Sequence, residues 1–209
     1  MKPIKTSESD PIKVDFLTSE ELMQPGQIAM TIAPGKQDEE ANVIWQRDLQ
    51  ADLDRLRKDY AVNRLVCLLE GEELEHLGIP ELLAEARARG IATEHLPILD
   101  EGLPDSMEAF SALVDRVINA IAAGETVLIH CKGGCGRTGM LAAACLVQLV
   151  CTPDEAIATV RQVREGALSV ALKREYVHLF HATRKSQRSR FCRNPMTGSQ
   201  DTQPVAGHR

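Results

Sequence analysis

Residues 126–139 read Thr-Val-Leu-Ile-His-Cys-Lys-Gly-Gly-Cys-Gly-Arg-Thr-Gly, a β-branched run feeding a glycine-rich turn that carries one thiol and one guanidinium. The pattern predicts a strand, a tight loop, and a helix opening near Arg137. A helix N-terminus presents unpaired backbone N–H groups and partial positive charge, so such a loop suits an anion of phosphate geometry. Gly133, Gly134 and Gly136 would let the loop turn its amides inward, because residues with a Cβ resist the backbone angles required. Arg137 offers a planar fork that can grip two phosphoryl oxygens together, which lysine cannot. Cys131, close to the helix terminus and to this cation, is placed to react as a thiolate. The chemistry within reach is attack of sulfur on a bound phosphoryl group, with the arginine stabilising the developing charge.

The run His130-Cys131-x-x-Gly134-x-x-Arg137-Thr138-Gly139 resembles the signature of the cysteine-dependent protein tyrosine and dual-specificity phosphatases. Similarity to the cyclin-dependent kinase inhibitor 3-like, or kinase-associated, phosphatases extends from about Pro25 to Phe180. Segments that carry it include Leu65-Val66-Cys67-Leu68-Leu69-Glu70, Pro97-Ile98-Leu99-Asp100 and Tyr176-Val177-His178-Leu179-Phe180. The resemblance implies a single α/β domain of the dual-specificity phosphatase kind, with a central, mostly parallel sheet flanked by helices. It also implies hydrolysis of phosphotyrosine, phosphoserine or phosphothreonine in proteins through a phosphocysteine, with no metal or other cofactor. Phosphoinositide hydrolysis, or phosphoprotein binding with weak hydrolysis, are the alternative readings.

Carried over by resemblance, Cys131 is the nucleophile, Arg137 the phosphate clamp and Thr138 a hydrogen-bond donor to the departing thiolate. Asp100 is the expected general acid, with Asp105 as competitor. A Pro-Asp pair resembles the acid loop of larger tyrosine phosphatases, but Asp105 also fits a helix start at Ser106. His130 supports the loop. Lys132, Gly133, Gly134, Cys135 and Gly136 complete the phosphate-binding set, and Lys132 without a second lysine at Cys135 leaves a basic pocket for inositol headgroups half built. Cys67 falls where relatives carry a thiol able to bond the nucleophile, implying reversible inactivation through a Cys67–Cys131 bridge, with an inert buried thiol as the alternative reading. Relatives carry glutamines in the stretch matching Gly166 to Tyr176, one of which helps orient the hydrolytic water; this chain has Ser169 and Lys173 there.

Other motifs fail on context. Gly134-Cys135-Gly136-Arg137-Thr138-Gly139 satisfies G-x-G-x-x-G, but helical sequence follows where a dinucleotide fold needs a second strand ending in an acid. Asp154 stands near that distance, yet Thr152-Pro153-Asp154-Glu155 reads as a helix start. No Gly-Lys-Ser/Thr closes a Walker loop. Cys131 and Cys135 lack the further ligands a zinc site needs, and His178 and His181 share a helix face without a third ligand.

The 209 residues are 44% hydrophobic and 26% charged with a net charge of −6, the profile of one globular domain and not of a general nucleic-acid binder. Aromatics are 3%, so aliphatic side chains must supply most packing, which suits a buried sheet under helices. Met140 to Cys151 is too short to span a membrane, and the N-terminus lacks a secretion signal, so a cytoplasmic location without stable membrane association is expected. Six irregularly spaced cysteines read as reduced thiols, Cys145 and Cys151 as core fillers. Strands are expected at Ile28 to Ile32, Arg64 to Leu69, Thr93 to Pro97 and Thr126 to His130. Helices are expected at Trp45 to Tyr60, Glu73 to Arg89, Ser106 to Ala123, Arg137 to Val150, Pro153 to Arg164 and Ala171 to Ser186. Residues 1–20 read as a loose polar segment, 21–186 as the phosphatase domain, and 187–209 as a disordered basic and polar tail with Arg188, Arg190 and Arg193.

Overall fold

The computed structural model describes residues 2–149 and 151–193. The chain opens with strands β1 (Ile4–Thr6) and β2 (Asp15–Leu17), helix α1 (Ser19–Leu22) and strand β3 (Gln27–Thr31). Short strands β4 (Gln37–Asp38) and β5 (Ile44–Gln46) precede helix α2 (Leu49–Lys58) and strand β6 (Arg64–Cys67). Helices α3 (Gly71–His76) and α4 (Leu82–Ala88) lead to strand β7 (Ala92–His95), helix α5 (Met107–Ala122) and strand β8 (Thr126–His130). Helices α6 (Gly136–Leu149), α7 (Pro153–Val163) and α8 (Ala171–Arg193) complete the described chain.

The main sheet has the order β2-β3-β8-β6-β7. Three of its pairings are parallel, and β2 joins β3 antiparallel, with Asp15 opposite Met30, so the sheet is mixed with an antiparallel edge. Central β8 is buried along its whole length, as a parallel strand covered on both faces must be. This explains why Thr126 to His130 shows no polar alternation. Helix α6 starts directly beyond it and packs against β3, β8, α5, α7 and α8, burying ten of its residues. Phe110 of α5 holds α8 by edge-on contacts with Tyr176 and Phe180, at 5.2 and 5.7 Å between ring centres. Few aromatics therefore do concentrated work at one helix junction.

Several expected elements differ. Within the segment expected to be loose, residues 4–17 carry ordered elements: β1 pairs with β5, β2 pairs with β3, and Ile12 and Leu17 are buried. Strands of three residues are too short to show period-two alternation, so sequence gave no sign of them. The helix expected from Trp45 begins at Leu49, because Asp48 caps it by accepting the Ala51 amide at 2.8 Å and β5 takes the residues before. The helix expected over Glu73 to Arg89 is two helices, broken by Gly78 (φ +66°) and Pro80. The last helix runs past Ser186 to Arg193; the rest of the expected tail, residues 194–209, lies outside the described residues.

A second sheet, β1-β5-β4, is fastened to α2 by a buried ion pair. Arg47 donates to both oxygens of Asp52, at 2.7 and 2.8 Å, and the Gly35 amide donates to the same carboxylate at 2.8 Å. Removing the carboxylate would strand a buried guanidinium. Asp52→Ala is expected to cost about 3–5 kcal/mol, read as a lower urea midpoint in equilibrium unfolding.

Candidate active site

The loop between β8 and α6 is held from outside by its carbonyls. Lys132 O accepts from Ala33 N at 3.3 Å, and Cys135 O accepts from Leu168 N at 3.3 Å. Arg164, capping the end of α7, donates to the carbonyls of both Gly133 (3.1 Å) and Gly134, and is itself anchored by Asp15 at 2.6 Å. With the carbonyls so engaged, the Gly134 amide turns to the other side and donates to Cys131 Sγ at 3.2 Å. Only Gly134 of the three loop glycines takes a left-handed backbone (φ +69°), and a Cβ there would lie 2.2 Å from Thr31 O. Gly133 has open space around its Cβ position, while Gly136 is needed for room, since a Cβ would meet Lys173 Cε at 3.2 Å.

Cys131 is 3% exposed and Arg137 1% exposed, and both line one pocket of about 340 Å³. The Arg137 fork is set by an acid from another helix. Glu73 accepts from Nη1 at 2.5 Å and from Nη2 at 2.8 Å, and Ile98 O accepts from Nη1 at 2.7 Å. Among the described residues Nε has no acceptor, which leaves that side of the fork for a ligand. Glu73 carries no motif: it reads as an ordinary acid in a helix's first turn.

Asp100 follows β7 and reaches the same guanidinium, Oδ1 lying 3.1 Å from Nη2. Its side chain is 60% exposed and accepts the Glu101 amide, at a turn where Glu101 itself has φ +58°. Asp105 is exposed and absent from the pocket lining, next to Ser106, which caps α5 by accepting Ala109 N at 3.1 Å. The geometry thus brings Asp100, and not Asp105, to the arginine.

Of the supporting residues, His130 is fully buried, and burial pushes its pKa down to about 3, so the ring is neutral. Neither ring nitrogen reaches a partner at full hydrogen-bond geometry; the Cys131 backbone interacts with it more loosely. The Thr138 hydroxyl is buried without a hydrogen-bond partner, and the Gly134 amide donates to Sγ. The turn at Gly134 is what swings that amide back onto the sulfur. Cys135 is half-buried and its Sγ lies 3.5 Å from Gly133 O. Cys67 stands in register with His130 on the neighbouring strand, and Cys67 and Cys131 are both free thiols. Burial pushes the Cys67 thiol up to about 12, so it supplies little thiolate for exchange with an oxidised neighbour.

Lys36, which sequence did not place in the site, and Lys173, from the stretch where relatives carry glutamines, also open on the pocket. Lys36, 4% exposed, precedes β4; its Nζ lies 4.0 Å from Asp38 and 4.4 Å from the centre of the Trp45 ring. Lys132 shares Asp38 at 3.4 Å. Lys173, in the first turn of α8, is 2% exposed and stacks its stem on Gly136. Burial lowers the pKa of both Lys36 and Lys173, against the pull of Asp38 on the first and Asp100 on the second. Among the described residues no set of three His, Cys, Asp or Glu side chains could hold a metal. His178 has a carboxylate neighbour that its sequence context hid, Asp154 at 3.2 Å, but this pair lies away from the pocket.

Lys36 provides a pH signature. Its pKa falls to about 8 from 10.5, so the folded chain releases this proton before the unfolded chain does. The penalty is complete below about 8 and is relieved as pH climbs toward 10.5, where the unfolded chain binds the extra proton. Relative to Lys36→Met, the unmodified protein should gain stability across that window in paired urea melts.

Comparison with known proteins agrees with this geometry. Residues 2–158 match the family Cyclin-dependent kinase inhibitor 3. The rat protein of that name is 28% identical over 176 residues, covering 83% of this chain and 80% of its own length. The human protein is 28% identical over 182 residues, covering 86% and 82%. The crystal structure of a kinase associated phosphatase whose catalytic cysteine is replaced by serine superposes with a TM-score of 0.75 at 25% identity, over 82% of this chain and 95% of that one. Tk-PTP in its active form superposes with a TM-score of 0.61 at 27% identity, over 75% and 92%. With the loop, the arginine and the fold agreeing, the chain belongs to the cyclin-dependent kinase inhibitor 3 family and is a cysteine-dependent phosphatase of the tyrosine and dual-specificity type.

Proposed function

We propose that the chain hydrolyses phosphate monoesters on protein side chains, phosphotyrosine with or without phosphoserine and phosphothreonine, through a phosphocysteine and without a metal. The observation that carries this reading is the shared pocket of Cys131 and Arg137, with Asp100 3.1 Å from the guanidinium. Cys131 Sγ attacks phosphorus as a thiolate, the phosphorus–oxygen bond to the side chain breaks, and Asp100 gives its proton to the departing oxygen. Arg137 and the loop amides hold the equatorial oxygens as charge builds. Asp100, now a carboxylate, takes a proton from water as that water attacks the phosphocysteine. Inorganic phosphate leaves and the thiolate returns. This chemistry needs a reduced sulfur, which fits a cytoplasmic location.

Release of p-nitrophenol from p-nitrophenyl phosphate in the presence of a chelator tests the core of the proposal: Cys131→Ser should abolish it. Turnover that survives this change would exclude Cys131 as the nucleophile. On a phosphothreonine peptide, whose alkoxide needs a proton more than nitrophenolate does, Asp100→Asn should lower kcat by about 10²-fold or more and Asp105→Asn by less than about threefold. Glu73→Gln, which removes the charge that fixes the fork, should cost about ten- to a hundredfold in kcat.

A further inference from the structure

One phosphoryl group is already provided for by the loop amides and Arg137. Three lysines stand beside that set, Lys132 partly exposed and Lys36 and Lys173 buried, and the burial of those two needs a reason. A buried ammonium is costly unless it is paired and hydrogen-bonded. Lys36 and Lys173 are both more than nine-tenths buried. Lys36 has the Asp38 carboxylate at 4.0 Å, beyond hydrogen-bond reach, the face of Trp45 and the attraction of the Cys131 sulfur, but no hydrogen-bonded partner among the described residues. Asp38 is moreover shared with Lys132 at 3.4 Å. Lys173 is attracted by Asp100, Cys131 and Glu101 without a hydrogen bond or close ion pair to any of them. These ammonium groups come from three parts of the chain, the loop before β4, the phosphate loop and α8, yet line the same pocket as Cys131. Three cations converge on one pocket, and the two buried ones have no hydrogen-bonded partner of their own, which leaves their donors free for a further anion.

We propose that the pocket reads a second phosphate on the substrate, next to the one transferred to Cys131, and that the substrate is a doubly phosphorylated protein segment. This rests on the phosphatase reading above. Lys36 and Lys132 on one side, and Lys173 on the other, supply the donors for that second group. The choice of a protein chain follows from the adjoining groove of about 440 Å³, which shares Asp100 and Lys132 with the pocket and is lined by Glu70, Glu72 and Glu73. A small polyphosphorylated ring would meet carboxylates there, whereas a peptide presents neutral backbone or a basic side chain.

The test compares kcat/KM on a phosphotyrosine peptide with that on the same peptide carrying a second phosphorylated residue one or two positions away. An inositol bisphosphate forms a third arm. The unmodified protein should favour the doubly phosphorylated peptide by about tenfold or more, and Lys36→Met and Lys173→Met should each bring the ratio toward one. Circular dichroism melts check that each variant is folded, and the ratio in the unmodified protein needs no variant. A ratio near one in the unmodified protein, or a ratio that survives both changes, overturns the proposal. Faster release from the inositol bisphosphate than from either peptide overturns the protein segment as the source of the second phosphate. Turnover of the singly phosphorylated peptide reports separately on the phosphatase reading, so the two can fail independently.

Discussion

A backbone amide turned onto the catalytic sulfur does not hold that direction unaided, because the loop that carries it must leave its own carbonyls facing the other way. The loop keeps that shape because its opposite edge is tied down. Arg164 spans the carbonyls of Gly133 and Gly134, Asp15 fixes Arg164, and Ala33 and Leu168 take the carbonyls on either side. The antiparallel edge strand β2, which looks peripheral to a parallel sheet, supplies Asp15 and so reaches the site through one ion pair. Gly134 completes the brace: its left-handed backbone is the one place where the chain can turn inside the space left by Thr31 O.

The second constraint is electrostatic. A guanidinium this deeply buried must be compensated, and Glu73 compensates it on one edge while leaving Nε without an acceptor among the described residues. Glu73 stands in the first turn of α3, and α3 is a separate short helix because Gly78 and Pro80 break the run. The break that a simple periodic reading of residues 73–89 overlooks therefore sets the direction in which the α3 helix, and the acid at its start, can approach the arginine.

What the sequence disclosed and what it hid follow from how local each determinant is. The strand, loop and helix around Cys131 were legible because one continuous segment carries all three signals, and Ser106, Gly124 and Thr152 mark helix ends by local capping chemistry. Asp100 came from family resemblance, and the structure places its carboxylate beside Arg137. Glu73, Arg164, Lys36 and Asp38 were not legible as site residues. Each has an adequate local explanation: an acid opening a helix, a cation closing one, charges in a polar turn. Their site partners lie far off in sequence, 64 residues for Glu73 and Arg137 and 30 for Arg164 and Gly134. A residue whose type satisfies a local rule gives no outward sign of a distant second task. The β1-β5-β4 sheet was hidden differently, by strands of two or three residues with no period to detect.

That small sheet also explains why the pocket has a polarity. It carries Asp38 and Trp45 against Lys36, so the cationic wall stands on the side of the N-terminal segment, while Glu70, Glu72 and Glu73 line the groove on the side of α3. Lys132 and Asp100 stand at the boundary between the two. Fields of opposite sign on adjoining surfaces orient a charged ligand before contact is made. On the proposed reading, a phosphorylated chain is drawn in with its anionic end over Cys131, because reversing it would set phosphate against Glu70 and Glu72, while Glu73 is already paired with Arg137. The arrangement proposed to hold the phosphoryl group would thus also select the direction from which a substrate presents it.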